Sequence, residues 1–271
     1  MTLLDVNGVQ VNIVDTGAPP DRPDAPVVVL GHGLLFSTTM WRHQVEALRP
    51  AYRCVAIDWR GQGATPATRD GYDMDTLYAD AVAVIERLGV GPVHYAGLSM
   101  GGFVGLRIGA RRPDLLRSLT LIDTSAGPED PDNIRSYRLL ATLYRLVGWR
   151  PLKGKVAPIM FSEAFLATPE GREVVRVWSR EVGRQGRRGT HGAIRGVTDR
   201  LPVDDEIAAI KAPTLVIVGA GDVATTSDKS DAIADLVPGA ELVVLPDVGH
   251  VSALEAPEAV NAALIPFLAA H

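Results

Sequence analysis

A serine set between glycines, Gly97-Leu98-Ser99-Met100-Gly101, is the stretch of this 271-residue chain best suited to nucleophilic chemistry. The G-x-S-x-G spacing has a mechanical basis. A strand that turns sharply into a helix leaves one side chain exposed at the apex, and flanking glycines let the backbone make that turn without a Cβ clash. Val93 to Ala96 reads as a short buried strand and Phe103 to Ala110 as the helix that follows. The hydroxyl then stands beside a helix N-terminus, where backbone N–H groups favour negative charge. A serine hydroxyl is a poor nucleophile at neutral pH and needs a neighbouring base. His250, in the loop after the last strand, is the candidate, because an ordinary histidine pKa of about 6.5 suits a group that takes a proton and returns it. His43 lies on a helix, His94 inside the serine strand, His191 in a helical segment and His271 at the terminus. Two aspartates end strands and could orient the histidine, Asp123 and Asp222. Asp247 reads as a turn residue, and Asp58 as a brace for its own loop through Arg60.

The elements that must position these groups alternate in type. Val9 to Val14 reads as a strand after an Asn7-Gly8 turn, which implies an opening hairpin. Val27 to Leu30, Arg53 to Ile57, Val93 to Ala96, Leu119 to Ile122, Thr214 to Gly219 and Glu241 to Leu245 are short apolar runs, as expected for strands buried on both faces. Between them lie helices, one started by Ser37 or Thr38 and carrying Met40, Trp41, Val45 and Leu48. A second runs from Met74 to Leu88, capped by Asp73, with Leu77, Ala81, Val84, Ile85 and Leu88 inward. Asp228 to Leu236 and Glu258 to Leu268 are the last two. Alternation at this spacing predicts a parallel sheet with helices on both faces. Ligands of such sheets bind beyond the carboxyl ends of the strands, where Gly31 to Leu35, Asp58 to Gly63, Ser99 and Asp123 all fall. From Gly127 to Asp205 the alternation stops and the segment reads as helical. Its Arg172, Arg176, Arg180 and Arg184, four apart, read as the solvated face of one helix, paired in part with Glu173 and Glu181.

Composition bounds the rest. A net charge of −5 gives no basic excess for nucleic acid. The single cysteine, Cys54, excludes an internal disulfide and reads as a small core side chain. No apolar run approaches the roughly 20 residues that span a bilayer, and the first residues lack the pattern of a secretion signal, so the expectation is a cytoplasmic protein. His32, His43 and Asp58 lack metal-ligand spacing, and no phosphate loop or dinucleotide fingerprint occurs, so neither metal nor cofactor is expected.

With these strand-end residues assembled, the whole chain resembles the α/β-hydrolase superfamily. The matches are His32-Gly33, Asp58-x-Arg-Gly-x-Gly63, Gly97-x-Ser-x-Gly101, Gly219-x-Gly-Asp222 and Gly249-His250, in the order serine, acid, histidine. The Ser-Met-Gly-Gly run and the ending Leu245-Pro-Asp-Val-Gly-His-Val-Ser-Ala-Leu-Glu-Ala-Pro look similar to 3-oxoadipate enol-lactonases and small carboxylesterases. The resemblance implies an α/β-hydrolase fold, a mostly parallel central sheet flanked by helices, with a core of residues 1–126 and 206–271 and a helical cap, 127–205, inserted after the sixth strand. It favours Asp222 over Asp123 as the acid, places the oxyanion donors on the backbone of Met100 and Leu34, and makes His32 a structural residue. Leu35, Phe36, Trp59, Met160, Phe161 and Trp178 are candidates for an apolar pocket. The implied activity is hydrolysis of a small-molecule carboxylic ester or lactone through an acyl-enzyme. The same three groups also suit a carbon–carbon bond hydrolase of vinylogous diketones, cofactor-free perhydrolysis, or a non-catalytic ligand receptor. Dehalogenases and epoxide hydrolases, which need a carboxylate at the elbow, are excluded by Ser99.

Overall fold

A computed structural model describes residues 2–271. Eight strands form one sheet in the order β1-β2-β4-β3-β5-β6-β7-β8. They are β1 (Thr2–Val6), β2 (Val9–Asp15), β3 (Val27–Gly31), β4 (Arg53–Ile57), β5 (Val93–Leu98), β6 (Leu116–Ile122), β7 (Thr214–Gly219) and β8 (Glu241–Leu245). The first two form the expected hairpin, turned by Asn7 and Gly8 at positive φ, and β2 meets β4 antiparallel. All later neighbours pair in parallel. Strands β3, β5 and β7 are buried along their full length, which is why they read as unbroken apolar runs instead of alternating ones.

Helices cover both faces. Those before the sixth strand are α1 (Arg42–Leu48), α2 (Met74–Leu88) and α3 (Met100–Arg111). The first is shorter than its sequence suggests. Ser37 caps a 3₁₀ turn, Thr38–Trp41, and the α-helix begins only at Arg42. Asp73 caps α2 as expected, accepting from the Thr76 amide at 2.8 Å, and Leu77, Ala81, Val84 and Ile85 face inward. Gly31, Gly97 and Gly101 meet where α3 crosses β3 and β5. A Cβ on Gly101 would collide with the Gly31 carbonyl, and one on Gly97 with the Gly101 carbonyl. The helix therefore sits directly over the strand ends, and Ser99 at its head can be only where it is.

Between β6 and β7 the chain runs through α4 (Pro131–Val147), α5 (Lys153–Met160), α6 (Glu163–Ala167), α7 (Pro169–Arg184), α8 (Arg187–Thr198) and α9 (Asp204–Ile207). Two helices of this insertion, α4 and α7, open on prolines, Pro131 and Pro169, at a position where a missing N–H costs nothing. Arg172, Arg176, Arg180 and Arg184 are exposed on α7. Arg176 pairs with Glu173, but Glu181 accepts from Thr39 instead of an arginine. After β7 come α10 (Ser227–Leu236), α11 (Ser252–Glu255) and α12 (Pro257–Ala270). None of the described helices is long and apolar enough to cross a membrane.

The Asp58 loop is braced by different partners from those its sequence suggests. Asp58 accepts from Asn12 Nδ2 and the Thr38 amide, both at 2.7 Å, and from the Ala64 amide at 2.9 Å. Arg60 turns away and pairs with Asp80 on α2, Nη2 to Oδ1 at 2.9 Å. Local spacing put Arg60 within reach of Asp58, but the buried carboxylate of a distant helix offers it a bidentate partner.

Candidate active site

Ser99 lies at the β5–α3 turn with φ 52° and ψ −112°, outside the comfortable region for a residue with a Cβ. The turn is tied down on several sides. The Ser99 amide donates to the Ile122 carbonyl at 2.9 Å, and Thr124 Oγ1 donates to the Ser99 carbonyl at 2.9 Å. Tyr95 Oη donates to the Gly101 carbonyl at 2.9 Å. These bonds overdetermine the strained backbone and keep the hydroxyl at the apex.

The β7–α10 and β8–α11 loops bring up the other two groups. His250 Nε2 is 3.0 Å from Ser99 Oγ, and His250 Nδ1 is 2.8 Å from Asp222 Oδ2. All three residues are buried, none more than 6% exposed. Asp222 is itself held. Its Oδ1 accepts from the Ala224 and Thr225 amides at 2.8 and 3.0 Å, and its Oδ2 from Thr225 Oγ1 at 2.8 Å. Burial pushes the Asp222 pKa up, but the charge and hydrogen bond of His250 and the Thr225 donors outweigh it, and the net shift is downward. Burial acts on His250 in the opposite sense to its partner: it lowers that pKa, and the Asp222 charge and hydrogen bond more than offset it, so the net shift is upward.

Asp123, the rival acid, lies beneath these groups. It is fully buried at φ 46° and does not reach the imidazole. Its Oδ1 accepts from the Gly219 amide at 2.9 Å; its Oδ2 accepts from Ser252 Oγ at 2.6 Å and the Ser252 amide at 3.1 Å. It thereby ties the ends of β6 and β7 to the start of α11. Burial, then the Asp222 charge, pushes its pKa up to about 7. The sign follows directly. A carboxyl that holds its proton more tightly when folded stabilises the fold below its ordinary pKa, and that contribution is lost as pH rises towards 7. Asp123→Asn, which cannot ionise, should therefore flatten the fall of thermal stability between about pH 4 and pH 7, read as Tm against pH.

The third structural element is the loop after β3. His32 Nδ1 donates to the Gly33 carbonyl at 2.7 Å while Nε2 accepts from the Trp59 amide at 3.2 Å. Burial lowers its pKa, so the ring is neutral and serves as a fixed brace. Leu35 sits at φ 67°, and its amide donates to Gln62 Oε1 at 2.9 Å. Gly33 lies against the elbow, where a Cβ would stand 3.5 Å from Ser99 Cβ. Leu34 follows it directly. Across the gap, Met100 is the first residue of α3, so its N–H has no acceptor within the helix.

One cavity opens onto Ser99 and His250. Leu34, Leu35, Phe36 and Met160 line it. Phe161 and Trp178 do not. They pack behind it, Trp178 stacked on Phe36 at 5.6 Å, edge-on to Phe161 at 5.5 Å, and donating from Nε1 to the Leu35 carbonyl at 3.1 Å. Trp59 is also buried elsewhere, bonded through Nε1 to the His32 carbonyl. Residues that sequence reasoning passed over include Gln62, Thr225, Glu129 and Tyr137. Thr225 carried a signal, three residues after Asp222 in an Asx-turn position. Gln62 and Glu129 carry none, because their partners Leu35 and Arg200 lie far along the chain, and Tyr137 is one of several aromatic residues in a helical segment.

Comparisons with known proteins agree with the fold. A family model described as alpha/beta hydrolase fold matches residues 26–257. A Mycobacterium tuberculosis protein provisionally named non-heme bromoperoxidase BpoC is 32% identical over 253 residues, 91% of this chain and 94% of its own. The structure of an enol-lactonase from Burkholderia xenovorans LB400 superposes with a TM-score of 0.90 at 26% identity, covering 98% of this chain and 99% of that one. A thermophilic esterase from Thermogutta terrifontis, solved with malate bound, gives a TM-score of 0.88 at 28% identity, covering 99% and 96%.

Proposed function

Because the chain belongs to the α/β-hydrolase fold family, we propose that it is a serine hydrolase of small carboxylic esters or lactones, working through an acyl-enzyme on Ser99. The observation that carries this reading is the continuous relay from Ser99 Oγ through His250 to Asp222 at 3.0 and 2.8 Å. His250 Nε2 takes the hydroxyl proton as Oγ attacks the acyl carbon, then gives it to the leaving oxygen. Asp222 keeps the Nδ1–H tautomer and stabilises the imidazolium. Thr225 and the two loop amides keep Asp222 ionised for that task. The Met100 and Leu34 amides receive the oxyanion. Water, activated by the same histidine, then cleaves the ester to Ser99. The segment 127–205 acts as a cap that shapes the acyl site.

The reading is tested by initial rates on p-nitrophenyl esters of graded chain length, simple lactones and an enol-lactone. A phosphonate ester should add one phosphonyl group to the Ser99 peptide, read by mass spectrometry. Absence of turnover together with absence of labelling sinks it. The similarity to BpoC supports a second reading of the same intermediate. Hydrogen peroxide attacking the acyl-enzyme in place of water releases a peracid and free Ser99. Peroxide-dependent halogenation that requires Ser99 is its signature.

Gln62 supports the loop that bears the Leu34 amide. Gln62→Leu removes the acceptor that holds Leu35 at positive φ. We expect kcat to fall by about 10- to 100-fold with KM little changed, as for loss of part of an oxyanion site.

A further inference from the structure

The cavity is walled mainly by apolar side chains, among them Leu140, Val156, Ile159, Met160 and Ile194, and its polar side chains besides Ser99 and His250 are Glu129, Tyr137, Thr198 and Thr225. Glu129 is only 6% exposed, an expensive place for a carboxylate without a partner. The partner is Arg200, buried behind it, with Nη1 donating to Glu129 Oε2 at 2.7 Å. The rest of the guanidinium is also occupied. Nε donates to the Gly127 carbonyl, Nη1 to the Val197 carbonyl and Nη2 to the Pro128 carbonyl, at 3.0 to 3.1 Å. Its carbon centre lies 4.4 Å over the Phe103 ring. Among the described residues no lysine or arginine lines the cavity. The charge on His250, when it forms, is already answered by Asp222. The Tyr137 hydroxyl, by contrast, has no hydrogen-bond partner among the described residues. Burial and the neighbouring Glu129 push its pKa up to about 12, so it keeps its proton.

We propose that the acyl portion entering this cavity is uncharged, an apolar group that carries at most a neutral polar group against Tyr137 or Glu129, and that substrates with a carboxylate tail are rejected. This rests on the ester-hydrolase reading and narrows it. A lactone of 3-oxoadipate, a dicarboxylic acid, keeps one free carboxylate. That group would enter a site whose one buried cation is spent on Glu129, next to Glu129 itself, and would leave both without compensation. The likeness to enol-lactonases thus extends to the chemistry at Ser99 and stops short of the substrate's far end.

The test is a matched pair of esters, p-nitrophenyl 4-methylpentanoate and p-nitrophenyl hemisuccinate. Their acyl groups have nearly the same shape and differ in charge. At pH 8, after subtraction of spontaneous hydrolysis, kcat/KM for the wild-type protein should favour the neutral ester by at least about 100-fold. A preference below tenfold, with the neutral ester turned over, overturns this inference and leaves the hydrolase reading standing. No turnover of either ester, together with no phosphonate labelling of Ser99, overturns both. Glu129→Gln frees the Arg200 charge and should narrow the preference by at least tenfold. A folded Glu129→Gln protein with an unchanged ratio would show that the Glu129–Arg200 pair does not set the preference, and would overturn the inference. The wild-type ratio needs no variant and decides the point if that substitution prevents folding.

Discussion

Replacing Ser99 with alanine should lower kcat on the preferred ester by about 10⁴- to 10⁶-fold, with far-UV circular dichroism unchanged. The size of the loss follows from how the site is assembled. His250 and Asp222 act only through the hydroxyl 3.0 Å from Nε2, so deleting Oγ silences all three at once. The residual rate is what the backbone amides and binding alone provide. The folded state should survive, because what holds the elbow is backbone and neighbouring side chains: Ile122, Thr124 and Tyr95. Alanine keeps a Cβ at φ 52° and so keeps the strain. Ser99→Gly, which lacks one, should raise Tm above that of Ser99→Ala while remaining equally inactive. An alanine variant within tenfold of wild type would mean that the chemistry lies elsewhere in the cavity.

Asp222→Asn should cost about 10⁴-fold in kcat at neutral pH, with little change in Tm. The amide preserves shape, and its oxygen can still take the Ala224 and Thr225 amides that Oδ1 takes now. The NH₂ group then faces Nδ1 and demands an acceptor there, which forces the proton onto Nε2, the atom that must receive the serine proton. The pH profile carries a second signature. In the wild type Asp222 raises the His250 pKa against the opposing effect of burial. Reaction needs neutral His250, so the acid limb of kcat/KM should lie above the ordinary histidine value of about 6.5. In Asp222→Asn the largest raising charge is gone and burial remains, so the limb should move to lower pH than in the wild type. A limb that stays in place would show that another group sets it. Asp123 would be the first to examine, since its charge also acts on His250.

The parts of this fold that could be read beforehand are those in which cause and effect lie close together in the chain. The elbow needs glycines two residues either side of Ser99, a buried parallel strand needs an unbroken apolar run, and Asp73 caps a helix whose first turn it adjoins. Sheet topology turns strand ends into neighbours, which brings His250 together with both Asp123 and Asp222; the preference for Asp222 comes from the family resemblance. Pairings without such a rule were not legible. Arg60 was assigned to the carboxylate two residues away and instead reaches Asp80 on α2. Phe161 and Trp178, candidates for the apolar pocket on sequence, stand one layer behind Phe36. Glu129 and Arg200 are 71 residues apart, at opposite ends of a helical insertion whose packing no local pattern encodes.

That insertion is also fastened to the histidine loop. Val251, the residue after His250, donates its amide to the Met160 carbonyl at 3.0 Å. The Glu255 carboxylate accepts from the Gly249 amide, the Ser162 amide and the Ser162 hydroxyl. The end of α5 and the start of α6 are therefore tied to the two residues that flank His250. Any swing that lifted this part of the insertion to let a bulky product out would draw His250 away from Ser99 and interrupt proton transfer until the insertion settled again. In the proposed reaction, release and reactivity would exclude each other along that path, and fast turnover would call for an exit that leaves the Met160–Val251 seam closed.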